Sequence, residues 1–255
     1  MRRTHQHRPD RADDDRRTGV VILAAGSGER LGRGPKGLVP VAGEPMLRHV
    51  LAAVRANVHV AEVVVTAPAD MTGVYRALIG DDDVRVVPGG GTRQHSAGAG
   101  LAALSPGLRW VAVTDVARPF TPGGAVDELL DHLAAARADD GAPQPCGAAH
   151  VLPLHDSMHL AGPRSTLGAP VDRGTMRAAQ TPQLFRRDCL AAAYEAAEAD
   201  GRSATDDIGT VWAYGGLTLA VPGDSRNIKI TVDADLRLAE ALAGLSGSEL
   251  WRVSC

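Results

Sequence analysis

Two cationic side chains, Arg30 and Lys36, follow a short apolar run and the tight turn Gly26-Ser27-Gly28. Glycines let backbone N–H groups approach phosphate oxygens closely. An arginine offers those oxygens a planar fork of donors, whereas a lysine supplies a compact point charge. Two cations close to one phosphorus would stabilise the charge that develops during phosphoryl or nucleotidyl transfer. The segment therefore predicts a triphosphate site, with an ordinary exposed surface loop as the alternative.

The loop fits neither of the common phosphate-binding templates. The dinucleotide fingerprint GxGxxG needs a third glycine at the position where this chain has Leu31. The P-loop needs a Gly-Lys pair in register after Gly32, and none follows. A nicotinamide-dependent dehydrogenase is therefore disfavoured, and the predicted triphosphate site lacks a Walker motif.

An acidic and a basic residue, Asp115 and Arg118, directly follow the apolar run WVAVT. An aspartate at the carboxyl end of a parallel strand lies on the ligand-binding edge of an α/β sheet. There it could hold Mg²⁺, a hard ion suited to carboxylate and phosphate oxygens. Arg118 could pair with Asp115 or bind an anion. The alternative for both residues is a local ion pair at the end of the strand.

Strand-like and helix-like patterns alternate along most of the chain. Apolar runs predict strands at residues 20–25, 61–66, 83–87, 110–114, 217–221 and 228–230. Helical spacing of apolar residues predicts helices at 45–57, 94–104, 125–138, 187–200 and 232–242, the last with Thr231 as its N-cap. Such alternation predicts an α/β fold with a Rossmann-like, mostly parallel sheet flanked by helices.

Residues 141–173 interrupt this alternation and are rich in Pro, Gly and His. We expect them to form an insertion that projects from the sheet, with short strands near 148–152 and 157–160. Residues 180–185 then return to the body of the domain. The domain as a whole is predicted to span 19–245, between a disordered tail at 1–18 and a C-terminal tail at 246–255.

The composition of the chain limits the classes of binding partner and the cellular compartments that can be expected. The formal net charge of −3 over 255 residues gives no basic footprint for nucleic acid. No apolar run approaches the roughly 20 residues that span a bilayer, so no membrane partner is expected. The three cysteines are dispersed and form no CxxC pair, which favours a reducing cytoplasm over a disulfide framework.

Several motifs together resemble one known family. The chain contains AAGSGERLG followed by PK, and DVARP after a later strand. These motifs look like those of the 2-C-methyl-D-erythritol 4-phosphate cytidylyltransferases of isoprenoid biosynthesis. The similarity continues through VDR at 171–173, QTPQ at 180–183, TD at 205–206 and NIKIT at 227–231. AAGxG alone is shared by many nucleotidyltransferases, whereas QTPQ, TDD and NIKIT together are much more specific.

The resemblance implies a Mg²⁺-dependent reaction in which CTP and a polyol 4-phosphate give a CDP-polyol and pyrophosphate. It implies catalytic roles for Arg30, Lys36 and Lys229, and it makes Asp115 the metal ligand. Residues implied to bind the nucleotide are Ala24, Ala25, Gly26, Ser27, Gly28, Gly90, Arg93, Ser96 and Asp115. Residues implied to bind the second substrate are Arg118, Ser157, Asp172, Arg173, Thr181 and Thr205.

The excursion corresponds, by the same resemblance, to a β-arm at about 148–173. In the family this arm interlocks with a second subunit, so the resemblance implies a homodimer. Asp172 and Arg173, at the end of the arm, would then reach the active site of the partner.

The chain departs from the usual family pattern at a few positions. Thr114 stands where His is usual, Gly37 where Gln or Ala is common, and His159 where Lys is usual. The changes leave the nucleotide motifs intact and lie mainly near the second substrate. Two alternatives thus stay open, a cytidylyltransferase for another polyol phosphate such as ribitol 5-phosphate and a catalytically silent nucleotide-binding relative. The presence of Arg30, Lys36 and Asp115 disfavours the silent relative.

Overall fold

The computed structural model describes residues 15–137 and 144–244. Most of the two predicted tails lies outside these residues. The end of the first tail does not: Thr18 is fully buried in the first strand, and the indole Nε1 of Trp110 donates to the Asp15 carbonyl at 3.1 Å. The predicted disordered tail at 1–18 is therefore wrong for its last four residues, which pack against the domain.

The described residues contain seven α-helices. They are α1 (Met46–Arg55), α2 (Thr72–Ile79), α3 (Arg93–Ala103), α4 (Ala125–Arg137), α5 (Arg187–Ala199), α6 (Asp207–Ala213) and α7 (Asp233–Ala243). Every predicted helix is present, with ends that differ by at most two residues from the predicted ones. The two that the sequence pattern missed, α2 and α6, are 8 and 7 residues long. Their apolar patterns are too short for a clear helical period.

The described residues form eleven strands in three sheets. They are β1 (Thr18–Leu23), β2 (Pro40–Val41), β3 (Glu44–Pro45), β4 (Val60–Ala67), β5 (Val84–Pro88), β6 (Trp110–Asp115), β7 (Gly147–Pro153), β8 (Met158–Ala161), β9 (Leu167–Val171), β10 (Arg177–Arg186) and β11 (Thr218–Pro222). Seven of them build the main sheet in the order β11-β7-β10-β6-β1-β4-β5. Only β10 runs antiparallel to its neighbours in that sheet. The predicted mostly parallel α/β fold is confirmed.

The register of the sheet places the ends of three strands side by side. Leu23, the last residue of β1, pairs with Thr66 of β4 and with Asp115 of β6. Because these strands are parallel, their carboxyl ends meet at one edge. The loop after β1 and the carboxylate of Asp115 therefore open on the same side of the sheet.

Helices cover both faces of this sheet. Alternate residues of β1 enter different apolar clusters, with Val20 and Ile22 in one and Val21 in the other. The fully buried strand therefore reads as a continuous apolar run, as parallel strands do. None of the helices within the described ranges has the length and hydropathy needed to cross a membrane.

The projecting arm is shorter than predicted. Residues 147–153 form β7, which lies inside the main sheet between β11 and β10. The separate part is the two-stranded sheet of β8 and β9, in which Met158 pairs with Val171. Of the predicted arm at 148–173, the first six residues thus belong to the domain body.

Two predictions for the segment before α7 are wrong. Residues 228–230 do not form a strand, because the Ile228 N–H is bonded to the nearby Arg226 carbonyl at 2.7 Å. Thr231 is not the N-cap of α7. Instead the Asp235 carboxylate reaches back and accepts the backbone N–H groups of Thr231 and Val232 at 2.7 and 3.0 Å. A carboxylate in the first turn satisfies those donors directly.

Candidate active site

An open cleft of about 520 Å³ lies at the carboxyl edge of the main sheet. It is bordered by the loop after β1, the glycine turn before α3, the end of β6 and the segment before α7. The predicted residues that line it are Ala25, Gly26, Ser27, Gly28, Arg30, Lys36, Gly90, Arg93, Ser96, Asp115 and Lys229. The structure therefore brings the three predicted catalytic residues together with most of the predicted nucleotide ligands.

The loop after β1 is held in a tight shape that requires a glycine. Gly28 has a φ of +72°, and a Cβ there would lie 2.1 Å from the Gly34 carbonyl oxygen. The Gly28 carbonyl accepts the N–H groups of Leu31 and Gly32 at 2.9 and 3.0 Å. The loop thus folds back on itself and leaves its Gly26–Gly28 edge facing the cleft.

Tyr75 of α2 ties the two ends of that loop together. Its hydroxyl donates to the Ala24 carbonyl at 3.2 Å, and it also bonds the backbone of Gly37. Burial raises the pKa of Tyr75 to about 12. A Cβ at position 37 would lie 2.8 Å from the Tyr75 hydroxyl. Tyr75 therefore occupies the space that a side chain at position 37 would need, which explains why this chain has a glycine there.

The whole sequence contains two lysines, Lys36 and Lys229, and both line the cleft. Elsewhere the chain carries its positive charge as arginine. Lysine differs from arginine in its compact, rotatable charge and in a pKa that shifts readily with its surroundings. The restriction of lysine to this cleft therefore indicates, independently of any motif, that both lysines are functional residues.

The two lysine ammonium groups bind to neighbouring parts of the site. Lys229 Nζ lies 2.6 Å from Asp115 Oδ2, and Lys36 Nζ donates to the Ile230 carbonyl at 2.8 Å. Burial lowers the pKa of Lys36, and the positive charges of Arg30 and Lys229 lower it further. The three cations are thus close enough to repel one another, and an anion entering the cleft would relieve that repulsion.

Asp115 is a buried carboxylate that stays ionised. Burial alone would raise its pKa, but the charges of Arg93 and Lys229 outweigh burial and hold the pKa below the usual value. The Arg93 Nε donates to Asp115 Oδ1 at 3.3 Å. The Asp115 backbone N–H donates to the Thr181 hydroxyl at 3.0 Å, which fixes the end of β6 against β10.

The donor set of the cleft fits Mg²⁺. Asp115 offers an ionised carboxylate, and Glu29 brings a second, exposed one to the lining. Within residues 15–137 and 144–244, no three His, Cys, Asp or Glu side chains come together as metal ligands. A cation here would therefore take most of its oxygens from a bound phosphate compound and water, as Mg²⁺ commonly does.

A second buried carboxylate, to which the sequence patterns gave no role, holds Arg93. Asp207, the first residue of α6, lies 2.8 Å from Arg93 Nη1 through its Oδ2. Its Oδ1 accepts the Tyr194 hydroxyl at 2.6 Å. Burial raises the pKa of Asp207 and the paired Arg93 charge opposes that shift. Arg93 therefore stands between two aspartates, Asp115 in the cleft and Asp207 behind it.

The glycine turn before α3 is closed by Ser96. Its hydroxyl donates to the Thr92 carbonyl at 2.9 Å and accepts the Gly90 N–H at 3.1 Å. A Cβ at Gly89 would lie 2.4 Å from the Cβ of Ala25, so this turn packs directly against the loop after β1. The two glycine segments therefore form one continuous wall of the cleft.

The remaining predicted residues do not line the cleft. Ala24 is buried, and Arg118 is directed at main-chain carbonyls of Asn227 and Ala179, at 2.6 and 3.4 Å. Thr181 is buried against Asp115, while Thr205 is exposed. The arm residues are exposed within this chain and are not part of the cleft: Ser157, Asp172 and Arg173. Substrate binding by these residues stays a prediction.

Comparison with known proteins identifies the family. The family model for 2-C-methyl-D-erythritol 4-phosphate cytidylyltransferase matches residues 18–244. The chain belongs to this family. It is 40% identical over 239 residues to the enzyme of that name from Streptomyces avermitilis, covering 89% of this chain and 91% of the relative. It is 43% identical over 229 residues to the one from Deinococcus radiodurans, covering 89% and 90%.

Solved structures of the cytidylyltransferase family share the fold. The crystal structure of 2-C-methyl-D-erythritol 4-phosphate cytidylyltransferase from Thermus thermophilus matches with a TM-score of 0.71 and 34% identity. The match covers 90% of this chain and 100% of that one. The chain is thus an enzyme of the cytidylyltransferase class over nearly its whole described length.

Proposed function

We propose that the protein transfers CMP from CTP to 2-C-methyl-D-erythritol 4-phosphate and releases pyrophosphate. One observation carries the proposal: Arg30, Lys36 and Lys229 converge with the Asp115 carboxylate in one cleft walled by two glycine segments. Family membership supplies the nucleotide and the polyol.

The reaction is an in-line displacement at phosphorus. A phosphate oxygen of the polyol phosphate attacks the α-phosphorus of CTP, and the bond from that phosphorus to the oxygen bridging to the β-phosphorus breaks. Pyrophosphate leaves with the bonding electron pair. Arg30, Lys36 and Lys229 lower the barrier because negative charge grows on the oxygens around the α-phosphorus.

The same cations are needed before the chemical step. The nucleophile is an anionic phosphate and must approach an anionic triphosphate, which is unfavourable without positive charge between them. Lys229 is held by Asp115 at the end of β6, and we assign it to the incoming phosphate. Arg30 and Lys36 follow that turn in sequence, and we assign them to the triphosphate.

Asp115 would hold Mg²⁺ together with phosphate oxygens of CTP. When bound, the ion supplies positive charge that neutralises the triphosphate. Gly90 and Ser96 are assigned to the cytidine, because the serine closes a glycine turn whose backbone faces the cleft. Arg93, which also lines the cleft, pairs with Asp115.

The second substrate and the assembly complete the proposal. The exposed arm presents Asp172 and Arg173, and we propose that it reaches a partner subunit and adds the arginine to the polyol phosphate site. Ser157, Thr181, Thr205 and Arg118 are proposed to shape that site. Cys146 and Cys189, the cysteines within the described residues, are free thiols, which suits a reducing compartment, so we place the enzyme in the cytoplasm.

Steady-state pyrophosphate release tests the proposal. CTP and Mg²⁺ are offered with methylerythritol 4-phosphate or with ribitol 5-phosphate, and turnover is expected with the first. Arg30→Ala should lower kcat by about 10²–10³-fold. Arg33→Ala is the matched control, because Arg33 lies in the same loop but pairs with Asp233 instead of lining the cleft. Turnover with ribitol 5-phosphate alone would assign another polyol.

A further inference from the structure

The segment that carries Lys229 has no regular secondary structure, yet one residue in it is almost completely buried. Asn227 lies two residues before Lys229 and is 2% exposed. It falls between β11 and α7. A buried amide in an irregular segment must satisfy both its donor and its acceptor, because leaving either unpaired is costly.

The Asn227 side chain meets both requirements with two different parts of the fold. Its Nδ2 donates to the Thr181 carbonyl at 2.9 Å. Its Oδ1 accepts from the Thr121 hydroxyl at 3.3 Å, which shares its proton with the Arg118 carbonyl at 2.9 Å. One amide thus joins the irregular segment to β10 on one side and to the turn after β6 on the other.

The backbone of Asn227 is held as firmly as its side chain. Its carbonyl accepts from Arg118 Nη1 at 2.6 Å and from Gln180 Nε2 at 3.3 Å. Its N–H donates to the Asp224 carbonyl at 3.0 Å. The carbonyl therefore uses both of its lone pairs on buried or half-buried side chains.

Three residues further on, the segment is fixed a second time. The Ile230 N–H donates to the Ala117 carbonyl at 2.8 Å, and the Ile230 carbonyl accepts from Lys36 Nζ at 2.8 Å. Lys229 stands between these two anchors, with its Nζ 2.6 Å from Asp115. Both lysines of the protein therefore depend on the path of residues 227–230.

We propose that Asn227 is a positioning residue that fixes residues 227–230 and thereby aims Lys229 and Lys36 into the cleft. The catalytic consequence rests on the proposed function, whereas the effect on the two lysines does not. A displacement of about 1 Å of a catalytic group can lower a rate by about 10²-fold. Loss of the amide should therefore slow the chemical step more than it weakens CTP binding.

Asn57 provides a matched control for the test. It is also a buried asparagine, 5% exposed, whose amide donates to the Ala53 and Val54 carbonyls. Its Oδ1 accepts the Val126 and Asp127 N–H groups. It joins the end of α1 to the start of α4, and none of these hydrogen-bond partners lines the cleft. Asn57→Leu and Asn227→Leu should both lower thermal stability.

The first measurement needs no substrate. Limiting acetic anhydride is applied to each protein, and the acetylation rates of Lys36 and Lys229 are read by mass spectrometry. In Asn227→Leu both rates should rise by at least about threefold, because local opening frees the amines from the Asp115 carboxylate and the Ile230 carbonyl. In Asn57→Leu they should equal those of the unaltered protein. Unchanged lysine rates in Asn227→Leu, or an equal rise in both variants, would overturn the inference.

The second measurement uses turnover of CTP and methylerythritol 4-phosphate. Asn227→Leu should lose about 10–100-fold in kcat, with KM for CTP raised by a clearly smaller factor because Lys36 also contacts the triphosphate. Asn57→Leu should keep both constants. Inactivity of the unaltered protein would overturn the proposed function alone, since the acetylation rates still decide the positioning role.

A milder variant covers the case in which Asn227→Leu does not fold. Thr121→Val removes the hydroxyl shared between Asn227 Oδ1 and the Arg118 carbonyl, and it leaves the asparagine in place. Acetylation of Lys229 should then rise by a smaller factor in the same direction. Lysine rates that match those of the unaltered protein in this variant would count against the inference.

Discussion

The charge state of Lys36 links its surroundings to the pH at which the enzyme works. Burial and the charges of Arg30 and Lys229 lower its pKa in the free protein. A bound triphosphate would bring negative charge and restore the pKa toward its usual value. The free enzyme should therefore lose the Lys36 charge at a lower pH than the CTP complex does.

This difference predicts two separate alkaline limbs. The profile of kcat/KM for CTP reports free-enzyme groups, whereas that of kcat reports the bound complex. As pH rises, kcat/KM should fall before kcat does. The Lys36→Arg variant, whose guanidinium does not titrate in this range, should lack the early limb although its activity is lower. Superimposable alkaline limbs in the unaltered enzyme would contradict the assignment.

At the residue scale the sequence predicted which side chains gather but not where each one points. Arg30, Lys36, Asp115 and Lys229 follow strand ends or motifs, and the parallel sheet brings such ends together. Arg118 also lies close to Asp115, but its guanidinium donates to the carbonyls of Asn227 and Ala179. The direction of the Arg118 side chain depends on where residues 179 and 227 lie in the fold, and the local sequence pattern does not specify those positions.

Among the elements, the loop after β1 depends on its contact with α2. Tyr75 fills the space beside Gly37 and bonds the Ala24 carbonyl. The short helix carrying Tyr75 was missed by the sequence pattern, so the reason for Gly37 was hidden as well. The opposite error occurred at residues 228–230, which were predicted to form a strand. Their apolar side chains pack against the domain and their backbone anchors the segment, without pairing in a sheet.

The same chemical change should have opposite effects at two glycines. Gly37→Ala should destabilise the protein by about 1–3 kcal/mol, because a Cβ would overlap Tyr75. Gly73→Ala, on the exposed side of α2 with open space around it, should stabilise by up to about 1 kcal/mol. Urea unfolding measures both. Equal shifts of the same sign would contradict the packing described for Tyr75.

For the whole molecule, the β8–β9 arm and the cleft belong to different surfaces of one chain. The proposed function joins them through a second subunit. The native mass should therefore be twice the 26.5 kDa of one chain. A shared site also predicts that defects in the arm and in the cleft can be separated onto different subunits.

Mixing two inactive variants tests this sharing. Arg173→Ala carries the arm defect and Lys36→Gln carries the cleft defect. After subunit exchange, half of the dimers are mixed and each has one intact site, so about a quarter of full activity should return. Arg164→Ala, an exposed arginine elsewhere on the arm, should be active by itself. A mixture that stays inactive would contradict a site built from two chains.

The most direct test of the central claim follows the CMP group itself. The protein is incubated with Mg²⁺, methylerythritol 4-phosphate and CTP labelled at the α-phosphorus, and the products are separated and weighed by mass spectrometry. The account predicts that the label moves into CDP-methylerythritol in a one-to-one ratio with pyrophosphate, and that Asp115→Asn abolishes this transfer. Label that stays in CTP, or leaves as free CMP without the polyol product, would contradict it.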